Sequence, residues 1–203
     1  MLTNLTRQTA AGLRLLLVFT VLCGICYPLL VWGVARIPGL AGNAGGSVLT
    51  VDGAPVGSSL IGVDPVPADP ASDPYFHTRP AASAEDVLGP ADTTTSGGSN
   101  LGGFDEGLAE SIEQRRALIA ARERVAPADV PPDAVTASAS GLDPHISPEY
   151  AALQVERVAR TTGLPAARVR ALVADATTGR MLGFLGEPTV NVTVLNLALA
   201  EAR

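Results

Sequence analysis

Apolar residues along the chain form one long run near the N-terminus and several short, regularly spaced groups after it. Residues 15–35 contain no charged side chain and lie between Arg14 and Arg36. As an α-helix rising about 1.5 Å per residue, this run would span roughly 30 Å, the thickness of a bilayer's hydrocarbon core. The pattern therefore predicts a short tail over residues 1–14, one transmembrane helix over residues 15–35 and a soluble domain over residues 36–203.

A cleaved signal peptide is the alternative interpretation of this apolar run. Such peptides have an apolar core of roughly 7 to 15 residues, followed by a cleavage site of small residues. The run found here is longer, and residues 41–44 (AGNA) match a cleavage site poorly. The sequence therefore favours a retained membrane anchor.

Three later segments have the apolar spacing of amphipathic helices. Residues 105–125 carry acidic side chains in the early turns and arginines in the later ones, an order that complements the helix dipole. Ser147 is a good N-cap for a second helix over about residues 148–160, which starts with a proline. A third, shorter helix is predicted over about residues 165–178.

Short apolar runs predict strands in three places. Residues 48–51 and residues 58–62 have the composition of strands, and Asp52 and Gly53 after the first run are typical of a tight hairpin turn. Residues 190–200 are predicted to form a strand that passes into a terminal helix. Together these elements predict an α+β protein, with a single N-terminal transmembrane helix followed by one small mixed α/β soluble domain.

The charges along the chain indicate an orientation in the membrane. The chain has 14 basic residues, all arginine, and 20 acidic residues, so its net charge is -6 and it offers no basic surface for nucleic acid. Arg7 and Arg14 precede the predicted helix, whereas only Arg36 lies close behind it. Because basic residues near helix ends favour the cytoplasmic side, we expect a cell (inner) membrane protein with its N-terminus in the cytoplasm and its domain outside.

Cysteine and histidine usage limits the chemistry of the domain. Both cysteines, Cys23 and Cys26, fall in the apolar run, and three-residue spacing puts them on one helix face. We expect them to pack against another membrane helix. The domain has no cysteine for a disulfide or a thiol nucleophile. The two histidines, His77 and His145, have no second ligand at metal-binding spacing, so no metal site is predicted.

A glycine-rich segment over residues 93–103 is the first candidate for binding chemistry. Small hydroxyl and glycine residues allow backbone N–H groups to approach an oxyanion, and a predicted helix follows directly. The candidate residues for nucleotide or partner contact are Ser96, Gly97, Gly98, Ser99 and Asn100. The chain contains no Lys, so a Walker-type site is excluded. A polar turn that caps the helix or fits a partner is the alternative.

Two further stretches contain polar residues that could act chemically. Asp143 and His145 lie near several serines, which raises the alternative of a membrane-anchored extracytoplasmic hydrolase, although no G-x-S-x-G motif is present. A packed loop whose Asp and Ser side chains bond the backbone explains the same residues. In residues 75–80 (YFHTRP) we expect one aromatic ring in the core and the other at the surface. His77 and Arg79 there could orient a partner or an anion, or simply bond the backbone.

Several motifs in a fixed order suggest a family. They are YPL at residues 27–29, YFHTRP at 75–80, SGGSNLG at 96–102, VTASASGLDPHIS at 135–147 and GRMLGFLGEP at 179–188, with VNV at 190–192 and LNLAL at 195–199 near the end. In this order the chain resembles the KdpC family, the C subunits of bacterial Kdp-type potassium-transporting ATPases. The resemblance covers nearly the whole chain.

The resemblance implies an accessory subunit of a high-affinity potassium uptake complex, without hydrolytic activity or a cofactor of its own. The implied partners are a potassium-translocating subunit, a P-type ATPase subunit and a very small membrane subunit. It also implies a catalytic chaperone that raises the affinity of the ATPase subunit for ATP. Residues 96–100 are likened to the signature loop of ABC ATPases, with Thr95 and Ser99 where that signature has Leu and Gln.

The charge pattern and the implied ATP role conflict in one respect. ATP is cytoplasmic, whereas the arginine bias places residues 36–203 outside. In that orientation the glycine-rich loop cannot touch cytosolic ATP, and an effect on ATP affinity would have to pass between subunits. The domain would then stabilise the potassium-translocating subunit or shape its outer entrance.

Overall fold

The N-terminal unit is dominated by one long apolar helix. In the computed structural model, α1 (Leu2–Val21) and α2 (Tyr27–Val34) belong to a continuous helical segment that is long and apolar enough to cross a membrane, and none of its apolar window is buried by the rest of the chain. The predicted apolar helix is confirmed. It also extends through residues 2–14, which were predicted as a tail, and the membrane boundary at residues 15–35 stays a prediction.

A widened turn joins α1 to α2. Leu22–Cys26 is π-helical, and the Tyr27 N–H donates to the carbonyl of Leu22, five residues earlier. Pro28 has no N–H, so it cannot donate to the carbonyl of Gly24. A π-helical turn beside a proline is a known way for a helix to accommodate a lost hydrogen bond. Both cysteines lie in this turn and are exposed.

A β-hairpin opens the soluble unit, following the short helix α3 (Ala41–Ala44). Strands β1 (Val48–Val51) and β2 (Ala54–Ser58) pair through a two-residue turn. Asp52 and Gly53 have φ of 50° and 79°, the left-handed values that a tight hairpin turn requires. The predicted hairpin is therefore confirmed, but the predicted strand over residues 58–62 is wrong. Because the turn ends at Gly53, the second strand begins at once and is finished by Ser58.

The structure describes residues 2–203. Four longer helices provide most of the regular secondary structure of the soluble unit. They are α4 (Glu106–Glu123), α6 (Pro148–Thr162), α7 (Ala166–Asp175) and α8 (Val192–Glu201), with the short α5 (Pro132–Val135) between the first two. All four were predicted. The Ser147 hydroxyl caps α6 by accepting from the Tyr150 N–H at 3.0 Å, as the sequence indicated.

A small antiparallel sheet lies against these helices. It consists of β3 (His145–Ile146), β4 (Thr177–Thr178) and β5 (Thr189–Asn191), with β5 in the centre. The strand that passes into a helix is confirmed, because β5 leads directly into α8, and the Asn191 side chain accepts from the Val194 N–H at 3.1 Å. The α+β fold is therefore as predicted, although β3 and β4 were too short to be read from the sequence.

The core lies where α6, α7, α8 and β5 meet. Its most completely buried apolar side chains include Phe76, Ile119, Val158, Val190 and Leu195. Phe76 is fully buried and Tyr75 only partly, so the prediction of one core ring and one surface ring is confirmed. The amide of Asn196 on α8 holds the Phe76 backbone, accepting from its N–H at 2.9 Å and donating to its carbonyl at 2.8 Å.

Candidate functional site

Arg157 on α6 is the centre of a buried charged network. Its side chain is 4% exposed and reaches carboxylates from two other parts of the chain. One of its terminal nitrogens lies 3.1 Å from Asp73 Oδ2, and its Nε lies 3.0 Å from Glu123 Oε2 at the end of α4. It also donates to the backbone carbonyls of Asp73 and Tyr75 at 2.9 and 2.8 Å. One guanidinium therefore ties the segment around residue 75 to two helices.

His77 extends this network through both ring nitrogens. Nδ1 lies 2.7 Å from Asp64 Oδ1 and Nε2 lies 2.6 Å from Asp73 Oδ2. Because ionised carboxylates only accept hydrogen bonds, this geometry fits a ring that carries hydrogen on both nitrogens. The His77 backbone is held by Gln154, whose amide accepts from its N–H at 2.8 Å and donates to its carbonyl at 3.2 Å. His77 is thus fixed within the fold.

The network changes the acidity of its members. Burial raises the pKa of Asp73, but hydrogen bonding to His77 and the positive charges of His77 and Arg157 outweigh it, and the pKa falls below its ordinary value. Burial also raises the pKa of Tyr150, which the hydrogen bond from Arg122 offsets only in part. The Asp73 shift follows from pairing inside the fold and the Tyr150 shift from burial. The network is thus a structural element in which the charged groups satisfy one another.

The glycine-rich loop lies at the surface and is bound along one side to residues 138–141. Ser96, Gly97, Ser99 and Asn100 are exposed and Gly98 is half-buried. The Gly97 N–H donates to the Ser140 carbonyl at 2.8 Å. A Cβ on Gly98 would lie 2.9 Å from the Ala139 carbonyl oxygen, so only glycine fits this close approach without a shift.

The helix that follows this loop already has a carboxylate at its N-terminus. Asp105 caps α4, accepting from the Leu108 N–H at 3.1 Å, and Glu106 follows in the first turn. A helix N-terminus attracts anions through its free N–H groups and its dipole. Here two acidic side chains occupy that position, and the Gly97 N–H is used within the fold. The local geometry therefore favours a structured polar turn over a phosphate cradle.

Asp143 and His145 line an open cavity of about 500 Å³. The structure brings the pair together, with His145 Nδ1 3.1 Å from Asp143 Oδ1, and Arg79 lies 3.7 Å from the same carboxylate. Ser138 and Ser140 line the cavity too, but their hydroxyls lie 3.3 Å from each other and accept from backbone N–H groups. Neither serine is bonded to His145, so the hydroxyl is not activated as a nucleophile requires.

Arg79 is fixed mainly by the backbone of the neighbouring segment. Its Nη2 donates to the carbonyls of Thr136 and Ala137 at 3.3 and 3.2 Å. Backbone bonding, one of the two roles considered from the sequence, is therefore observed. Among residues 2–203, no group of three His, Cys, Asp or Glu side chains is arranged to hold a metal ion.

Residues 181–185, named here the apolar tip, form the most exposed apolar loop of the soluble unit. Met181, Leu182, Phe184 and Leu185 are 71%, 79%, 69% and 47% exposed. The sequence pattern indicates an apolar turn here, but not that its side chains point to solvent. The clue available in the sequence is that glycines separate these apolar residues, at positions 183 and 186, where a buried strand or helix would have few.

Comparison with known proteins identifies the family. Residues 9–201 match the family described as KdpC: K+-transporting ATPase, c chain. A Potassium-transporting ATPase KdpC subunit of Kineococcus radiotolerans is 53% identical over 201 residues, covering 99% of this chain and 97% of the relative. The same-named proteins of Streptomyces coelicolor and Nitratidesulfovibrio vulgaris are 46% and 49% identical over 98% and 91% of this chain, and over 95% and 88% of their own lengths. The chain therefore belongs to the KdpC family of potassium-transporting ATPase subunits.

Proposed function

We propose that this chain is a non-catalytic accessory subunit of a high-affinity, ATP-driven potassium uptake complex. Its anchor would sit among a potassium-translocating subunit, a P-type ATPase subunit and a small membrane subunit. The observation that carries the proposal is that the buried charged groups around Arg157 are paired within the fold, whereas the anchor helix is left uncovered and the apolar tip is largely exposed. The chain thus offers contact surfaces, and no assembled nucleophile is found at Asp143 and His145.

The orientation proposed for the chain places its soluble unit outside the cell. All 20 acidic residues follow residue 51, and two of the three arginines near the uncharged run at residues 15–35 precede it. That distribution supports a cytoplasmic N-terminus. The subunit would then raise the ATP affinity of its ATPase partner by coupling across the complex, with no nucleotide or other cofactor of its own.

Cysteine labelling in intact cells tests this orientation. Ser99 is exposed in the glycine-rich loop, so Ser99→Cys in a chain with both native cysteines replaced by Ser gives a single reactive thiol. A membrane-impermeant maleimide should label it in intact cells. The matched control is Thr6→Cys near the N-terminus, which should be labelled only after lysis. Labelling of Ser99→Cys only after lysis would overturn the proposed orientation and leave the loop within reach of ATP.

Purified complexes test the accessory role. The complex that contains this chain should hydrolyse ATP with a lower apparent KM for ATP than the same complex assembled without it, at similar kcat. An unchanged KM with loss of the assembled complex would indicate a purely structural subunit. Turnover of an ester or peptide by the purified chain, lost in His145→Ala, would instead support the hydrolase alternative.

A further inference from the structure

The apolar tip concentrates large exposed side chains in a way that the rest of the domain does not. Single exposed apolar residues are normal on protein surfaces, but a contiguous group marks a contact site. Here four of five consecutive residues are large, apolar and between 47% and 79% exposed. The fold therefore leaves much of this apolar surface in contact with solvent.

The tip is a closed, hydrogen-bonded loop. The N–H groups of Met181 and Leu185 each donate to the other residue's carbonyl at 2.9 Å, and the Gly183 N–H donates to the Arg180 carbonyl at 3.0 Å. At the base of the loop Arg180 and Glu187 form an ion pair at 2.6 Å. The four apolar side chains are thus presented on a defined backbone. A pre-organised loop loses little conformational freedom when it binds.

Leu182, the second residue of this loop, has a strained backbone conformation. Its φ is 54°, in the left-handed region that residues other than glycine, asparagine and aspartate rarely adopt. It is also the most exposed side chain of the tip, at 79%. Strain of this kind persists at contact and functional sites, where it sets the direction of a side chain. A glycine would fit this turn better, so the leucine side chain serves something outside the fold.

The charge of the soluble unit favours one of two surfaces that the apolar tip could contact, a lipid headgroup region or a protein pocket. Residues 49–203 contain 20 acidic residues against 11 arginines and no lysine. An anionic lipid surface attracts basic segments and repels a domain of this charge. The one arginine beside the tip, Arg180, is neutralised by Glu187. A protein pocket therefore suits the tip better than the lipid headgroup region does.

The length of the linker keeps the domain near membrane partners. Helix α2 ends at Val34 and β1 begins at Val48. The residues between them can extend no further than roughly 45 Å. The soluble unit therefore stays within reach of the extramembrane surface of any subunit that binds the anchor.

We propose that residues 181–185 insert into an apolar pocket on the extramembrane face of a neighbouring membrane-embedded subunit of the same potassium-transporting ATPase. Leu182 and Phe184, the two most exposed non-sulfur side chains of the tip, are the anchors of this contact. The inference rests on the proposed function, because it takes the chain as a subunit of that complex. It adds the segment through which the soluble unit binds and the chemistry of the surface that receives it.

Site-specific photocrosslinking in the assembled complex tests the contact. A photoreactive phenylalanine analogue replaces Phe184 in the full-length chain, which is expressed together with the other subunits, and the membranes are irradiated. The expected product is a covalent adduct between this chain and another subunit. An adduct with lipid alone, or no adduct, would overturn the inference.

A second pair of variants measures whether the tip itself makes the contact. Leu182→Ser combined with Leu185→Ser should lower the yield of the adduct from position 184 by about tenfold, as expected for truncated interface anchors. The matched control, Leu118→Ser on α4, changes a leucine that is 43% exposed and should leave the yield unchanged. Equal yields in both variants would count against the tip as the contact.

Co-purification separates this inference from the proposed function. The unmodified chain should purify with the other subunits through an affinity tag on one of them. A chain that fails to do so would overturn the proposed function. A chain that co-purifies but gives no subunit adduct from position 184 would leave the proposed function intact and overturn only the role of the tip.

Discussion

The buried network around Arg157 and the apolar tip at residues 181–185 distribute polarity in opposite ways. Around Arg157, carboxylates and a guanidinium that are no more than 4% exposed replace the apolar packing expected of an interior. At the tip, large apolar side chains face solvent. The network is complete within one chain, whereas the tip has no counterpart in it. The difference teaches that the paired polar groups are explained by the fold itself, whereas the exposed apolar groups are not.

Removing one member of the network should destabilise the fold by more than the intact network stabilises it. Buried ion pairs gain little over well-packed apolar residues, because both charges must leave water. Removing one partner, however, leaves the others buried with less opposite charge around them. Arg157 faces both Asp73 and Glu123, so it is the member whose loss strands the most charge.

The largest effect should come from Arg157→Met. It removes the guanidinium from two buried carboxylates, which keep only His77 and Arg122 as cationic partners. The substitution should lower the free energy of unfolding of the soluble unit by about 3–5 kcal/mol. Pulse proteolysis of the detergent-purified full chain in urea measures this. The control is Arg170→Met, which breaks an exposed pair with Glu156 and should change the free energy by less than about 0.5 kcal/mol. Similar losses in both variants would mean that the network does not differ from a surface pair.

A smaller effect is expected from Gly98→Ala in the glycine-rich loop. The added Cβ would lie 2.9 Å from the Ala139 carbonyl oxygen, so one backbone segment must move. We expect a loss of about 1–3 kcal/mol in the same assay. Gly102→Ala has open space around the new Cβ and is the matched control. If both variants are equally stable, the loop does not depend on residues 138–141, and its glycines need another explanation.

At the apolar tip, Leu182→Gly should raise the free energy of unfolding. Glycine tolerates the left-handed backbone that strains Leu182, so the purified chain should gain up to about 1 kcal/mol, reduced by the greater freedom of glycine in the unfolded state. The adduct yield from position 184 should fall. A variant that loses stability and keeps its adduct would show that the tip serves the fold rather than a partner.

The smallest effect is a change in pH dependence. Because the folded pKa of Asp73 lies below its ordinary value of 3.8, Asp73 stabilises the fold above that pH, and the contribution is lost as the pH falls through 3.8 towards the folded pKa. Between pH 5 and 3, the free energy of unfolding should therefore change less steeply with pH in Asp73→Asn than in the unchanged chain. Asp129→Asn, at an exposed position, is the control. Equal slopes for Asp73→Asn and the unchanged chain would contradict the pairing.

Local signals were sufficient for most of the fold. The cap at Ser147 and the turn at Asp52 and Gly53 act within a few residues, so the sequence alone located them. The N-terminal helix was located by the uncharged apolar run at residues 15–35, and the membrane boundary there stays a prediction. Strands β3 and β4 have two residues each, which is too short for any alternation of polarity to be visible.

The candidate site was harder to predict because its members are distant in sequence. Arg157 meets Glu123 and Asp73 from 34 and 84 residues away, and no spacing rule connects such positions. His77 was noticed, but its two carboxylate partners were not. Conversely, residues 96–100 resembled an anion-binding loop because composition does not reveal that the Gly97 N–H is already bonded to Ser140.

The π-helical turn at Leu22–Cys26 gives the anchor a specific contact point within the membrane. Hydrocarbon supplies no hydrogen-bond donors, so a backbone carbonyl deprived of its helical partner needs one from a neighbouring helix or side chain. Pro28 cannot supply that donor to Gly24, and Gly24 has no side chain to keep another helix at a distance. Replacing this segment with a plain leucine helix would keep the domain at the membrane but remove the carbonyl that needs an outside donor. The anchor would then lose a feature by which a neighbouring helix can recognise it.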